Sequence, residues 1–227
     1  MWNQEEFFEN NRHHIDIKNA SPEDLQLIQV WLTMISTKLC IKDCLACTIA
    51  LDYTNMEGDP AKAPTEVSIL RTRAKLYGPQ DEPGDDTIEA ANDLAKLCID
   101  LIATSHAFYG IDSVVAVPRS DPRKKYSLPA HIAGMVAHNF GIDDLTFAVA
   151  PLQKRRETKD TPVKDRLANL KGTMAVDPAA VSGRRILLID DLYHTGVTLN
   201  YVAMLLQEAG ATTIYGLCCE KTCRNKD

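Results

Sequence analysis

A doubly wound, mostly parallel α/β sheet preceded by a helical extension is the architecture this sequence predicts. Three observations predict it. Ile186-Leu187-Leu188-Ile189 is an unbroken aliphatic run, the mark of a strand buried on both faces. From residue 86 onward the apolar pattern alternates between helical period and short buried runs, as consecutive βα units require. The 227 residues, 45% hydrophobic and 25% charged with no repeats, suit one well-buried domain.

In chain order, residues 1–20 carry no period, and His13-His14 reads as part of a polar lead-in. Ser21-Pro22-Glu23-Asp24 is a helix start, with a capping serine, proline at the first helical position and acids in the first turn. Leu25, Ile28, Leu32, Ile35 and Leu39 then predict a helix to about Cys47, its stripe suited to a core or to a homodimer seam. Residues 55–64, with Gly58, Pro60 and Pro64, read as a linker. The division predicted is 1–64 as a helical extension and 65–227 as the α/β domain.

Residues 65–77, with Val67, Ile69 and Leu70, read as a strand or strand pair, and 78–86 as a turn. A helix follows through Ile88, Ala91, Leu94, Cys98 and Leu101, then a buried strand at 114–117 closed by Pro118. A second helix is predicted over 128–139, a strand over 145–149, a basic loop over 151–171, and a turn or short helix over 176–180. The strand 185–189 leads through Asp190-Asp191 into a short loop. A helix through Val202 and Leu206 ends at Gly210, and 213–217 is the last strand.

Three loops carry the chemistry. Each follows a strand, so in a parallel sheet all three lie on one rim. The loop after Ile189 offers Thr195, Gly196 and Thr198 at a helix start, where free N–H groups receive an anion. Asp190 and Asp191 beside it suit a polyhydroxylated group. The loop after Val117 holds Arg119, Arg123, Lys124 and Lys125, and 154–171 holds Lys154, Arg155, Arg156, Lys159, Lys164, Arg166 and Lys171. A formal charge of −6 with basic residues so bunched favours a small anion and gives nucleic acid no support.

No apolar run approaches the ~18 residues of a membrane span, and the acidic start lacks the basic region of a signal peptide, so the expectation is a cytoplasmic protein. Seven cysteines in that setting argue against a disulfide framework. Cys40, Cys44 and Cys47 fall on one helical face and could join Cys218, Cys219 and Cys223 around zinc, but the spacing is irregular and core packing is preferred.

Residues 186–198 resemble the signature of the type I phosphoribosyltransferases: hydrophobic residues, two acids, then Thr195-Gly196-Val197-Thr198. That family uses phosphoribosyl pyrophosphate (PRPP). From about Thr65 onward the chain is similar to the ComF-like branch. Val115-Ala116-Val117-Pro118 with the basic run after it resembles that branch's pyrophosphate loop. Arg155-Arg156, Thr158 and the run Asp165-Arg166-Leu167-Ala168-Asn169-Leu170-Lys171-Gly172 resemble its flexible loop, and 190–199 its PRPP loop.

The resemblance implies roles. His194, Thr195, Gly196, Val197 and Thr198 would hold the 5′-phosphate. Asp190 and Asp191 would be catalytic, at the ribose hydroxyls and near a magnesium ion carried by PRPP, with no protein-only metal site. Arg119, Ser120, Arg123, Lys124 and Lys125 would receive pyrophosphate. Lys154, Arg155, Arg156, Arg166 and Asn169 would close over it, and residues within 1–80 would form a hood over the acceptor, a base or amine that the sequence does not identify. The chain departs from the branch at His194, in place of a second hydroxyl, which either faces the phosphate or points to solvent. It departs again at Asp160-Thr161, where a glutamine is usual, and in the first loop, Pro118-Arg119-Ser120-Asp121-Pro122, where the pattern is Pro-Leu. The branch's N-terminal zinc segment is missing.

Neither the G-x₄-G-K-[ST] loop of a P-loop NTPase nor the G-x-G-x-x-G of a dinucleotide fold occurs. The competing expectation is a non-catalytic PRPP- or nucleotide-binding regulator, an accessory to DNA uptake or another nucleic-acid system. The acid pair and the closing loop favour the enzyme.

Overall fold

A computed structural model describes residues 21–23, 25–26, 39–76, 82–155 and 163–222. Its six-stranded sheet comprises β1 (Leu39–Ile41), β2 (Thr48–Tyr53), β3 (Ser113–Ala116), β4 (Asp143–Asp144), β7 (Arg185–Tyr193) and β8 (Thr213–Lys221). The spatial order is β1-β2-β8-β7-β3-β4, parallel throughout except for the β1–β2 pair. A separate antiparallel pair joins β5 (Val149–Pro151) and β6 (Met174–Val176).

Side-chain alternation along the strands divides the core in two. Leu187 and Ile189 of β7, with Val114 and Ala116 of β3, face α1 (Glu66–Ala74), α2 (Asp85–Thr104) and α3 (Leu128–Phe140). Ile186 and Leu188, with Val115, pack on the opposite side against α6 (Val197–Glu208), the β5–β6 pair and α5 (Pro178–Val181). All four residues of the 186–189 run are fully buried, which is why the strand carries no polar face. Helices cover both faces of a mostly parallel sheet, the doubly wound architecture the sequence predicts.

Several elements differ from expectation. Residues 66–74 form a helix: the Thr65 side chain accepts from Ser68 N–H at 3.2 Å, and Val67, Leu70 and Ala74, spaced 3 and 4 apart, face the core. Residues 39–47 are not helical. Cys40 pairs with Ile49 in β1–β2, and β2 runs parallel to β8, so tertiary pairing overrides the apparent helical period. The predicted strand 145–149 is instead a 3₁₀ turn (Thr146–Ala148) leading into β5, because the chain leaves the sheet after the two paired residues of β4. The basic stretch contains α4 (Val163–Leu170), and β7 runs through both acids to Tyr193 instead of ending at Ile189.

Leu25 N–H donates to Ser21 C=O at 3.0 Å, a helical turn where the capping serine predicts one. The stripe residues Ile28, Leu32 and Ile35, His13-His14, and Arg156, Thr158, Lys159, Asp160 and Thr161 lie outside the described residues. Among the described residues no helix is long and apolar enough to cross a membrane.

Candidate active site

The carboxyl ends of β3, β7 and β8 meet at one rim, and a cleft of ≈ 770 Å³ opens there. It is lined by Arg119, Ser120 and Lys124 from the loop after β3, by Arg155, Arg166 and Asn169, and by residues 190–199. The three sequence-predicted loops therefore share one cavity. The stretch 151–171 does not reach it as a loop after a strand of the main sheet. It crosses from β5, tied by Arg155 N–H to Ser120 C=O at 2.8 Å and by the Arg155 guanidinium to Pro118 C=O. At its far end Arg166, only 7% exposed, donates to Thr195 Oγ1 at 3.2 Å.

The stretch the sequence assigns to a phosphate forms the turn between β7 and α6. Gly196 takes φ +69°, and a Cβ there would stand 2.2 Å from the Tyr193 hydroxyl, so only glycine fits. The first α6 hydrogen bond runs from Asn200 N–H to Gly196 C=O, leaving the N–H groups of 197–199 without acceptors inside the helix. Thr195 and Thr198 add hydroxyls on the same wall. His194 lines the cleft and is tied to the end of β8. It is half-buried with Nδ1 at 3.0 Å from Thr222 Oγ1, while that hydroxyl donates to His194 C=O at 3.2 Å.

The two acids are not equivalent. Asp191 Oδ2 accepts from Lys75 Nζ at 2.7 Å and from Arg71 Nη1 at 3.1 Å, and Arg71 Nε reaches Glu220 Oε1 at 2.5 Å. Asp190 accepts its own neighbour's N–H, from Asp191 at 2.9 Å, and has no ion-pair partner among the described residues. Burial raises Asp190, and the Asp191 charge adds to it, pushing its carboxyl up to about 8. Burial also works against the Asp191 charge, yet Lys75 and Arg71 outweigh it and hold that carboxyl below its usual range. Arg155, itself lowered by burial, is partly restored by the charge of Asp190.

Some predicted residues stand elsewhere. Arg123 clasps Asp121 through Nε at 3.0 Å and Nη2 at 2.7 Å, and Lys154 approaches the same carboxylate at 3.4 Å. Those contacts, Arg123 first, hold Asp121 well below the usual carboxylate range. Lys125 Nζ faces Glu82 at 3.4 Å. Cys40 and Cys44 are exposed and Cys47 is half-buried, with all three thiols pushed up by burial, and no group of three His, Cys, Asp or Glu side chains suited to a metal occurs among the described residues. Cys218 and Cys219 are core residues.

Arg71, Lys75, Glu220, Tyr126 and Thr222 are site residues that sequence reasoning missed. Lys75, Tyr126 and Thr222 line the cleft, and the Tyr126 hydroxyl donates to Ala74 C=O at 3.0 Å, fixing the end of α1 against it. The available signal was Arg71 and Lys75 at i and i+4, one face of a helix, which the strand reading of 65–77 concealed.

No family model matches the chain. An adenine phosphoribosyltransferase of Methylibium petroleiphilum is 35% identical over 96 residues, 39% of this chain and 49% of that protein. Competence protein ComFC of Streptococcus pneumoniae is 36% identical over 70 residues, 30% of this chain and 32% of that protein. The chain thus spans half or less of the curated relatives it matches. Among solved structures, adenine phosphoribosyltransferase from Leishmania tarentolae superposes with a TM-score of 0.42 at 12% identity, over 80% of this chain and 95% of that one. Over the matched segments, the chain is a homologue of an adenine phosphoribosyltransferase and of a ComF-type competence protein.

Proposed function

We propose that the chain binds Mg-PRPP and transfers ribose 5-phosphate to a nitrogen nucleophile, a base or amine, with release of pyrophosphate. The observation that carries this is the convergence of a phosphate cradle, an acid pair and the Arg119–Lys124 and Arg155–Arg166 cations on one ≈ 770 Å³ cleft. The N–H groups of 197–199 with the Thr195 and Thr198 hydroxyls take the 5′-phosphate. In its ionised form, which the free protein reaches only near pH 8, Asp190 accepts hydrogen bonds from the ribose hydroxyls, and that charge favours the positive sugar that forms as the C1–oxygen bond breaks. Arg119, Lys124 and Arg155 face the leaving group, while Arg166 joins the closing segment to the cradle.

Magnesium fits this donor set only as an ion brought by the ligand. Asp190 is without an ion-pair partner among the described residues, whereas Asp191 is held by two cations. Such an ion takes one or two carboxylates and fills its remaining positions with phosphate oxygens and water. Bound there, it would neutralise charge on the departing pyrophosphate.

The test is pyrophosphate release from Mg-PRPP across a panel of bases and amines. Release with at least one acceptor supports transfer. Silence across the panel with retained PRPP binding would overturn it in favour of the second reading, a PRPP- or nucleotide-binding regulator. That reading draws on the ComFC homologue and on the engagement of Asp191 by Arg71 and Lys75.

The acid pair also sets a pH dependence in the ligand-free protein. An unfolded chain releases the Asp190 proton near 3.8, the folded protein near 8. Between those values the folded state binds more protons, so stability falls as pH rises through that window and levels off above it. Asp190→Asn removes the effect: the variant's melting temperature should exceed the wild type's by a margin that grows from pH 5 to pH 8. Parallel melting curves at both pH values would mean that Asp190 is ionised in the free protein.

A further inference from the structure

We infer that Asn200 is a positioning residue that sets the phosphate-binding amide of Val197 from behind the loop, using residues of the β1–β2 connection as its anchor. The inference rests on the phosphoribosyl reading of the cleft. Gly196 C=O accepts two hydrogen bonds from the same residue, Asn200 N–H at 2.8 Å and Asn200 Nδ2 at 2.8 Å. Helical geometry alone supplies the first; the second is particular to this side chain. On its other end, Asn200 Oδ1 accepts from Cys44 N–H at 3.1 Å and from the Cys44 thiol. The amide is thus held at both ends, spanning 156 positions of sequence.

The consequence follows from peptide planarity. Gly196 C=O and Val197 N–H belong to one trans peptide unit and point in opposite directions. Fixing the carbonyl toward Asn200 therefore fixes the Val197 N–H toward the other side, and Val197 lines the cleft. The loop has little freedom to escape this setting. A Cβ at Gly196 would lie 2.2 Å from Tyr193 Oη and 2.9 Å from Asn200 Nδ2, so the glycine backbone rests directly on both side chains. Tyr193 is buried, and Asp43 beside it shapes the anchor: Asp43 Oδ1 accepts from Leu45 N–H at 3.1 Å and Thr48 Oγ1 at 3.0 Å.

Packing does not account for an amide at this position. The far side of Asn200 borders a second cavity of ≈ 720 Å³ lined largely by apolar groups, among them Leu45, Val197, Met204 and Ile214. A leucine would suit that wall as well; the polar ends are explained by Gly196 and Cys44. Because both ends are engaged, Asn200 touches no ligand and acts through the loop.

The experiment is calorimetric titration of the full chain with two probes, ribose 5-phosphate and inorganic pyrophosphate. Asn200→Ala removes the side-chain hydrogen bond to Gly196 C=O. Asn200→Asp keeps the shape but not the donor, and covers the case in which alanine unfolds the protein. Both variants should bind ribose 5-phosphate about five- to tenfold more weakly, the worth of one hydrogen bond, while pyrophosphate affinity stays within about twofold of wild type. Equal weakening toward both probes, or unchanged affinity for ribose 5-phosphate, would overturn the inference. If the wild type binds pyrophosphate but not ribose 5-phosphate, the phosphoribosyl reading itself fails and the inference falls with it.

Discussion

Replacing Arg71 with alanine should lower stability by about 3–5 kcal/mol, the range for removing one partner of a buried ion pair. The side chain holds two carboxylates at once, Glu220 through Nε and Asp191 through Nη1. Glu220 is fully buried in β8, and its second oxygen is buried with no hydrogen-bond partner among the described residues. Without Arg71 a buried negative charge would stand beside Asp191 with Lys75 alone to offset it. For a chain of this size the loss corresponds to about 6–20 °C in melting temperature, at about 2–4 °C per kcal/mol. Arg71→Ala combined with Glu220→Gln should recover part of it, because the second change removes the charge the first one strands. A single-variant loss below about 1 kcal/mol would show that the Arg71 contacts to Glu220 and Asp191 contribute no net stability.

That network also marks where the sequence stops being readable. The site loops were legible because each follows a run of aliphatic residues with no polar alternation, and such runs are buried strands whose ends share a rim. Residues 114–117 and 186–189 are of this kind, and the structure puts Arg119, Ser120 and Lys124 in one cleft with 190–199. Arg71 and Lys75 had no such marker. Their importance lies in reaching Asp191 across 120 and 116 positions of sequence, and no local pattern encodes that contact. Val67, Ile69 and Leu70 have strand-like character one at a time, so the helix they form was hidden. Cys40, Cys44 and Cys47 show the reverse error: a helical spacing in a segment whose backbone pairs with β2 and, through it, β8. The loop 151–171 was placed on the correct rim for the wrong reason, since it arrives from a separate strand pair and is drawn in by Arg155 and Arg166.

Asp190→Asn should reduce kcat/KM for pyrophosphate release by about 10²–10³ while leaving the fold intact, and Asp191→Asn should lose both activity and stability. Read from the sequence, the two acids are interchangeable. Their surroundings now separate them. Asp191 is the hub of two ion pairs, so an amide there leaves Arg71 and Lys75 short of a partner and disturbs the cation that steadies Glu220. A fall in turnover on Asp191→Asn would therefore mix chemistry with packing. Asp190 has no such obligations among the described residues: its backbone-facing Oδ1 takes one N–H, and asparagine retains an oxygen for it. What asparagine cannot supply is negative charge beside the ribose when C1 loses its pyrophosphate. The measurement is kcat and KM for both variants with the best acceptor of the panel, beside melting temperatures at pH 8. Turnover within about threefold of wild type in Asp190→Asn, with melting no lower than the wild type's, would take the carboxylate out of the chemistry and leave the cleft as a binding site.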